Sequence, residues 1–341
     1  MENMRTQIDA NVQTDENAII KKISASPGNE NSFDEIAVKW LDQIRSTRKY
    51  STYIKYLRLY EFHMRDVLMQ AKISDISNAY INEKLFNTEM RKNVSANTRH
   101  SIIVVINQIL QYANEYYACP EIKLSVKSKR IQNRRIEIIN HSDQVLLLRY
   151  LSQNMDLSKA GIILCISTGL RLGEICSLKW EDIDLEQMII HIKRTVQRIA
   201  CPGAGTKTSL MITPPKSIFS AREIPISREI ETLLKQMSKM QTGAYILGGN
   251  MPLEPRTYQK RFKKYLRDVN IQEYNFHTIR HTFATNCIDS GMDVKSLSEI
   301  LGHSDVKITL NRYVHPTMET KRKHIAALTL GYEQYCGQMV E

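Results

Sequence analysis

Ser167-Thr168-Gly169-Leu170-Arg171-Leu172-Gly173-Glu174 is the stretch on which the reading of this 341-residue chain turns. Leu157 to Ser167 reads as a helix that Thr168-Gly169 ends, because glycine takes the left-handed cap conformation at little steric cost. A second helix opens at once, over roughly Arg171 to Leu178. Its first residue is an arginine, at the end where the helix dipole repels cations. The placement makes sense if an anion sits beside it, since helix N–H groups and a guanidinium fork both suit phosphate. Otherwise Arg171 is an exposed arginine at a helix start.

Downstream, Trp180 and an Asp182-Ile183-Asp184 turn lead into runs that read as three strands: Met188 to Ile192, Ser209 to Thr213 and Arg222 to Ile226. Pro214 and Pro215 place Lys216 in a turn, where a lysine is usually just solvated. From Arg228 to about Leu330 the period is helical again. His277-Thr278-Ile279-Arg280 sets an imidazole and a guanidinium on one helix face. Leu297, Ile300 and Leu301 have core spacing, Gly302-His303 ends their helix, and Thr309, Tyr313 and His315 follow.

Upstream lies a helical segment. Ser32 and Glu35 have capping-box spacing, and Phe33, Ile36, Ala37, Trp40, Leu41 and Ile44 follow a 3.6-residue stripe. Further helices are expected near Ser51, around Ser77 to Leu85, and from Ser95 through Ala113. Residues 1–30 read as a flexible leader, 31–120 as an all-α domain, 121–140 as a basic linker, 141–330 as a mixed domain and 331–341 as a tail. In the linker, Lys123, Lys127, Lys129, Arg130, Arg134 and Arg135 oppose Glu121 and Glu137. It is a solvated connector or a clamp on backbone phosphates.

Composition bounds the rest. Length suggests two domains. Apolar residues at 42% and charged residues at 24% exclude wholesale disorder and collagen-like repeats. No apolar run approaches a membrane span, and the polar, acidic start is neither a signal nor a transit peptide. Six cysteines, none in a CxxC pair, suit a reducing compartment. The net charge of +11 permits a nucleic-acid partner without proving one. No Asp/Glu cluster or His/Cys set has metal-ligand spacing. Cys201-Pro-Gly-Ala-Gly-Thr-Lys-Thr208 lacks the contiguous Gly-Lys-Thr of a phosphate loop and precedes a strand, so no nucleotide site is expected.

Taken together, T-G-L-R-x-x-E, a turn-borne lysine, H-x-x-R, L-G-H and a tyrosine, in this order from Arg171 to His315, closely resemble the tyrosine recombinase (phage integrase) family. The resemblance implies a mainly α protein with a small antiparallel β-sheet: an N-terminal four-helix core-binding domain and a mixed α+β catalytic domain, forming a C-shaped clamp on double-stranded DNA. It implies strand cleavage and rejoining through a 3′-phosphotyrosine at Tyr313, with no cofactor, metal or ATP. Arg171 and Arg280 would clamp the scissile phosphate, Lys216 would protonate the 5′-oxygen, and His277 would assist proton transfer at the tyrosine. His303 would hydrogen-bond the phosphate and Glu174 would support Arg171.

The chemistry agrees with such roles. A pentavalent phosphorus transition state needs positive groups on its non-bridging oxygens, which two arginines supply bidentately. A tyrosine of pKa about 10 needs a proton acceptor or a positive field to attack at neutral pH.

For DNA contact, Arg256, Lys260, Arg261, Lys263, Lys264 and Arg267 line one basic helix with Tyr258, Phe262, Tyr265, Leu266 and Val269 behind them. Arg48, Lys49, Lys55, Arg58, Asn97, Arg99 and His100 are candidates in the first domain. After Tyr313, Glu319 to Leu330 are expected to form a final helix with Ile325, Leu328 and Leu330 as its apolar set. The resemblance implies that this segment docks on a neighbouring copy within a homotetramer, the alternative being that it packs in cis. A mobile-element integrase in a bacterial cytoplasm, working with an excisionase or directionality factor, is the favoured role. Xer-like resolution of chromosome or plasmid dimers is the alternative, ahead of a type IB topoisomerase or a catalytically silent DNA-binding regulator.

Overall fold

The computed structural model describes residues 32–87, 94–125, 136–200, 208–215 and 218–314, with Met318, Lys321, Arg322, Ile325 and Ala326. The leader, the linker cations Lys127, Lys129, Arg130, Arg134 and Arg135, the turn residue Lys216, His315 and most of the C-terminal segment lie outside the described residues. The described residues fall into two compact units, one up to residue 134 with 198–209, the other 135–197 with those from 210 onward.

The first unit is helical. Ser32 caps α1 (Phe33–Thr47) by accepting from the Glu35 N–H at 3.3 Å, as its spacing predicts. Phe33, Ile36, Ala37, Trp40, Leu41 and Ile44 are all buried on the expected stripe. Each large side chain buried in this way stabilises the unit by about 1.5–3 kcal/mol. Asp34, also buried, accepts the hydroxyl of Tyr60 and faces Arg65 at 3.5 Å, so its charge is partnered. α2 (Tyr50–Leu59) continues through a π-helical turn, Tyr60–Met64, into α3 (Arg65–Leu68). Ser77 caps α4 (Asn78–Ile81), which widens into a second π-helical turn, Asn82–Phe86. Ser95 caps α5 (Ala96–Tyr117), whose Ile102, Val105, Ile106, Ile109, Leu110 and Ala113 close the core.

The second unit wraps helices around a small sheet. α6 (His141–Ser152), α7 (Leu157–Thr168) and α8 (Leu172–Ser177) come first. β1 (Ile183–Asp184), β2 (Ile189–Ile192) and β5 (Arg222–Pro225) then form an antiparallel sheet in the order β1-β2-β5. β3 (Thr195–Ala200) and β4 (Thr208–Thr213) pair apart from it, with residues 198–200 and 208–209 grouped in the first unit. α9 (Arg228–Lys239), α10 (Pro255–Asp268), α11 (Phe276–Asp289), α12 (Val294–Leu301) and α13 (Val306–Tyr313) complete the unit. Ile162 and Leu164 of α7 pack with Ile190, Ile224, Tyr258, Phe262 and Phe276 in one core. Leu297, Leu301, Ala284, Cys287 and Tyr313 form a smaller cluster.

Two details differ from the sequence reading. Ile183–Asp184, read as a turn, is a strand, and Thr195–Ala200 is a strand that was not expected, so the strands form two sheets and not one. The buried positions of Thr195–Ala200 are Val196 and Ile199, three apart, so the period-2 signal of a strand is missing. Among the described residues, no helix is long and apolar enough to cross a membrane.

Candidate active site

The last turn of α12 leaves carbonyl groups without partners inside the helix, and these carry the negative end of its dipole. Three arginines from three other elements occupy consecutive ones. Arg222 Nε donates to Ile300 O at 2.5 Å, Arg280 Nη2 to Leu301 O at 2.5 Å, and Arg171 Nη2 to Gly302 O at 3.1 Å. Gly302 itself is left-handed, φ 64°. A Cβ there would stand 2.9 Å from Arg222 Cδ and 3.0 Å from Phe219 O, which is the physical reason for glycine in Leu301-Gly302-His303.

Arg171 caps α8 in extended conformation, so it precedes the helix and does not form part of its first turn. Its placement at a dipole's positive end is balanced by Glu174, which accepts from the Arg171 N–H at 2.9 Å and from its guanidinium at 2.8 Å. Arg222 grips the same carboxylate with two arms, each 2.9 Å. Burial alone would raise the Glu174 carboxyl, but hydrogen bonds and charge from Arg222, joined by Arg171, hold it at about 2. Arg280 is 2% exposed, and its second anchor is Gly169 O at 2.9 Å, the left-handed cap of α7. Burial and the neighbouring Arg171 charge push the ionisation of Arg280 below its ordinary value. An incoming anion would relieve that cost.

Tyr313, 7% exposed, ends α13. Its hydroxyl lies 2.7 Å from His281 Nδ1. Burial raises the phenol's pKa, outweighing the lowering by Arg280 and Arg312. His277, one helical turn before His281, sets its ring edge-on to that imidazole with centroids 4.5 Å apart. His303 Nδ1 is 2.7 Å from the hydroxyl of the fully buried Thr309. Desolvation first, and nearby arginines after it, push His303 to about 4, so this ring is neutral near pH 7. The same two effects hold His277 at about 4.

The structure therefore gathers Arg171, Glu174, His277, Arg280, His303 and Tyr313, with Lys216 outside the described residues. It adds Arg222 and His281, which the sequence reading did not single out as site residues. The available signal for His281 was its spacing, since His277 and His281 are i, i+4 on one helix. Arg222 carried only a strand signal.

Of the expected DNA-contact residues, Arg48 and Lys49 are exposed just before α2, Lys55 and Arg58 are exposed along it, and Arg58 lies over the Phe62 ring. Arg99 lies over Phe86 at 5.2 Å and donates to Val94 O. On α10, Lys260 and Lys264 are exposed, while Arg261 donates to Ser158 Oγ at 2.6 Å. Lys263 and Arg267 both pair with Glu273, at 3.1 and 2.7 Å, so the cation surplus of this helix is smaller than its own residues suggest. Among the described residues, no group of three or more His, Cys, Asp or Glu could hold a metal ion.

A profile described as the phage integrase family matches residues 135–320. The XerC-like tyrosine recombinase of Caldanaerobacter subterraneus subsp. tengcongensis is 27% identical over 315 residues, covering 85% of this chain and 80% of that protein. The integrase of Staphylococcus phage L54a is 27% identical, covering 75% of this chain and 76% of that one. Among solved structures, a Tn1549 transposon integrase in complex with transposon right end DNA shares the fold, with a TM-score of 0.72 at 21% identity, over 86% of this chain and 99% of that one. The family match spans more than half the sequence and all the described site residues: the chain belongs to the phage integrase family, the tyrosine recombinases, which are site-specific DNA recombinases.

Proposed function

We propose that this protein cleaves and rejoins double-stranded DNA through a 3′-phosphotyrosine at Tyr313, integrating and excising a mobile genetic element. The observation that carries the reading is the convergence of Arg171, Arg280 and His303 on the end of α12, in the same unit as Tyr313. Arg171 and Arg280 bind the non-bridging oxygens of the scissile phosphate, where charge grows in the transition state. Thr309 orients neutral His303 so that its Nε2 donates to a phosphate oxygen. Glu174, anionic at any working pH, fixes Arg171. Lys216 protonates the departing 5′-oxygen. The phosphotyrosine keeps the energy of the broken bond, so the 5′-hydroxyl can reseal it without ATP.

The phage L54a integrase supports the mobile-element role. The XerC-like relative supports the second reading, resolution of chromosome or plasmid dimers, and mapping the DNA junctions made in cells separates the two. The working form is a homotetramer joining two DNA sites in the bacterial cytoplasm, with a directionality factor. Exposed Val306, Ile308 and Leu310 on α13 support docking of a C-terminal segment from a neighbouring copy. The direct test is a nicked suicide substrate. Wild-type protein forms an SDS-stable adduct, and Tyr313→Phe forms none; an adduct that survives this substitution would overturn the mechanism.

A further inference from the structure

The hydroxyl of Tyr313 has one histidine hydrogen-bonded to it among the described residues, and it is not the one in the H-x-x-R motif. We propose that His281 is the catalytic base of this reaction: its Nδ1 takes the phenolic proton of Tyr313 on cleavage and returns it on rejoining. The inference rests on the reading of Tyr313 as nucleophile and deepens it.

The geometry carries the argument. The Nδ1–Oη distance of 2.7 Å is that of a hydrogen bond, with no intervening water needed. The two residues come from different helices, α11 and α13, so the contact is a tertiary one held by the surrounding core. His277 makes its ring contact with His281 and not with the phenol, which places it behind the base. The groups facing His281 are His277 and Arg280 on its own helix, with Arg312 and Tyr313 on α13. Desolvation first, and then His277, Arg312 and Arg280, hold His281 at about 4, so it is uncharged and able to accept a proton. In the DNA-free state that field also makes it a weak base. A phosphodiester anion bound by Arg171 and Arg280 cancels part of the field and raises its basicity only when substrate is in place.

The step balances. As Tyr313 Oη bonds to phosphorus, the P–O5′ bond breaks, the phenolic proton moves to His281 Nδ1, and the 5′-oxygen leaves as a hydroxyl with a proton from the general acid. On rejoining, the 5′-hydroxyl returns its proton to the deprotonated general acid as O5′ bonds to phosphorus, the Tyr313 O–P bond breaks, and the imidazolium reprotonates the phenol. Nδ1 acts as acceptor in the tautomer that carries its proton on Nε2.

The test compares His281→Asn with His277→Asn in the full chain, by the rate of adduct formation on the suicide substrate. Asparagine keeps a polar group near the Nδ1 position but takes no proton. His281→Asn is expected to slow adduct formation by about 100-fold or more, in the range typical of general base catalysis. Replacing Tyr313 in that variant with a difluorotyrosine, whose phenol ionises more readily, is expected to restore at least tenfold, as a lost base requires. The rate of wild-type adduct formation falls as the pH is lowered, through a limb that the bound phosphodiester sets above the DNA-free value of about 4; His277→Asn keeps this limb and His281→Asn loses it. The pH profile of the wild type and of His277→Asn reads the base even if His281→Asn folds poorly. Equal acceleration of wild type and His281→Asn by difluorotyrosine, or loss of the acidic limb in His277→Asn, overturns the proposal. If the wild type forms no adduct at all, the recombinase reading fails with it, and the two failures are told apart.

Discussion

Arg222 and Glu174 form a two-armed ion pair, 2.9 Å on each arm, with both side chains 5% exposed. The same carboxylate also holds Arg171, so one buried anion joins a strand residue to the arginine that precedes α8. Arg222 reaches on to Ile300 O, tying this pair to the end of α12 where Arg280 is also anchored.

Removing Arg222 should therefore cost more than a surface ion pair does. Arg222→Gln leaves a buried carboxylate with its main partner gone, and the expected loss is about 3–5 kcal/mol of unfolding free energy. Urea denaturation measures it. Arg222→Lys should recover only part, because an ammonium cannot reproduce two parallel hydrogen bonds.

Glu174 gives the fold a pH dependence of known sign. Its carboxyl, at about 2, lies below that of an unfolded chain, roughly 4.3. Its stabilising contribution is complete above the unfolded value and is lost as the pH falls through about 2. Glu174→Gln should be less stable than the wild type at neutral pH and should lose less on acidification between about pH 4 and 2. Parallel acid-unfolding curves for the two proteins would contradict this.

These relationships mark the limit of sequence reading. The helix starts at Ser32, Ser77 and Ser95 were legible because a cap and an apolar stripe are local signals. The order of Arg171, His277, Arg280, His303 and Tyr313 was legible as a motif. Thr195–Ala200 was not, because its buried residues lack strand alternation. Arg222 was visible as part of a strand, but its partner lies 48 residues away, and no local pattern announces such a pair. His281 stands 32 residues from the tyrosine it touches, one position beyond the motif that drew attention to His277.

Gly302 links backbone geometry to the arginines. Gly302→Ala puts a Cβ at a left-handed φ and 2.9 Å from the Arg222 side chain. The backbone cost alone is about 1–2 kcal/mol. Thermal unfolding should show that loss, and adduct formation should fall by more than stability explains, because Arg171 bonds to the Gly302 carbonyl itself and Arg222 to the Ile300 carbonyl two residues before it.

Salt dependence tests which cations of α10 meet DNA. Lys260 and Lys264 are exposed, whereas Lys263 and Arg267 share Glu273. If the first two contact phosphates, each neutralised to Gln should lower the slope of log affinity against log salt by about 0.9. Lys263→Gln should change the slope less, because its charge is already partly balanced. Glu273→Gln frees two cations at once and should strengthen binding at low salt, an effect that added salt erases. Binding titrations of these variants across ionic strength measure all three expectations, and identical slopes for Lys260→Gln and wild type would remove this helix from the DNA interface.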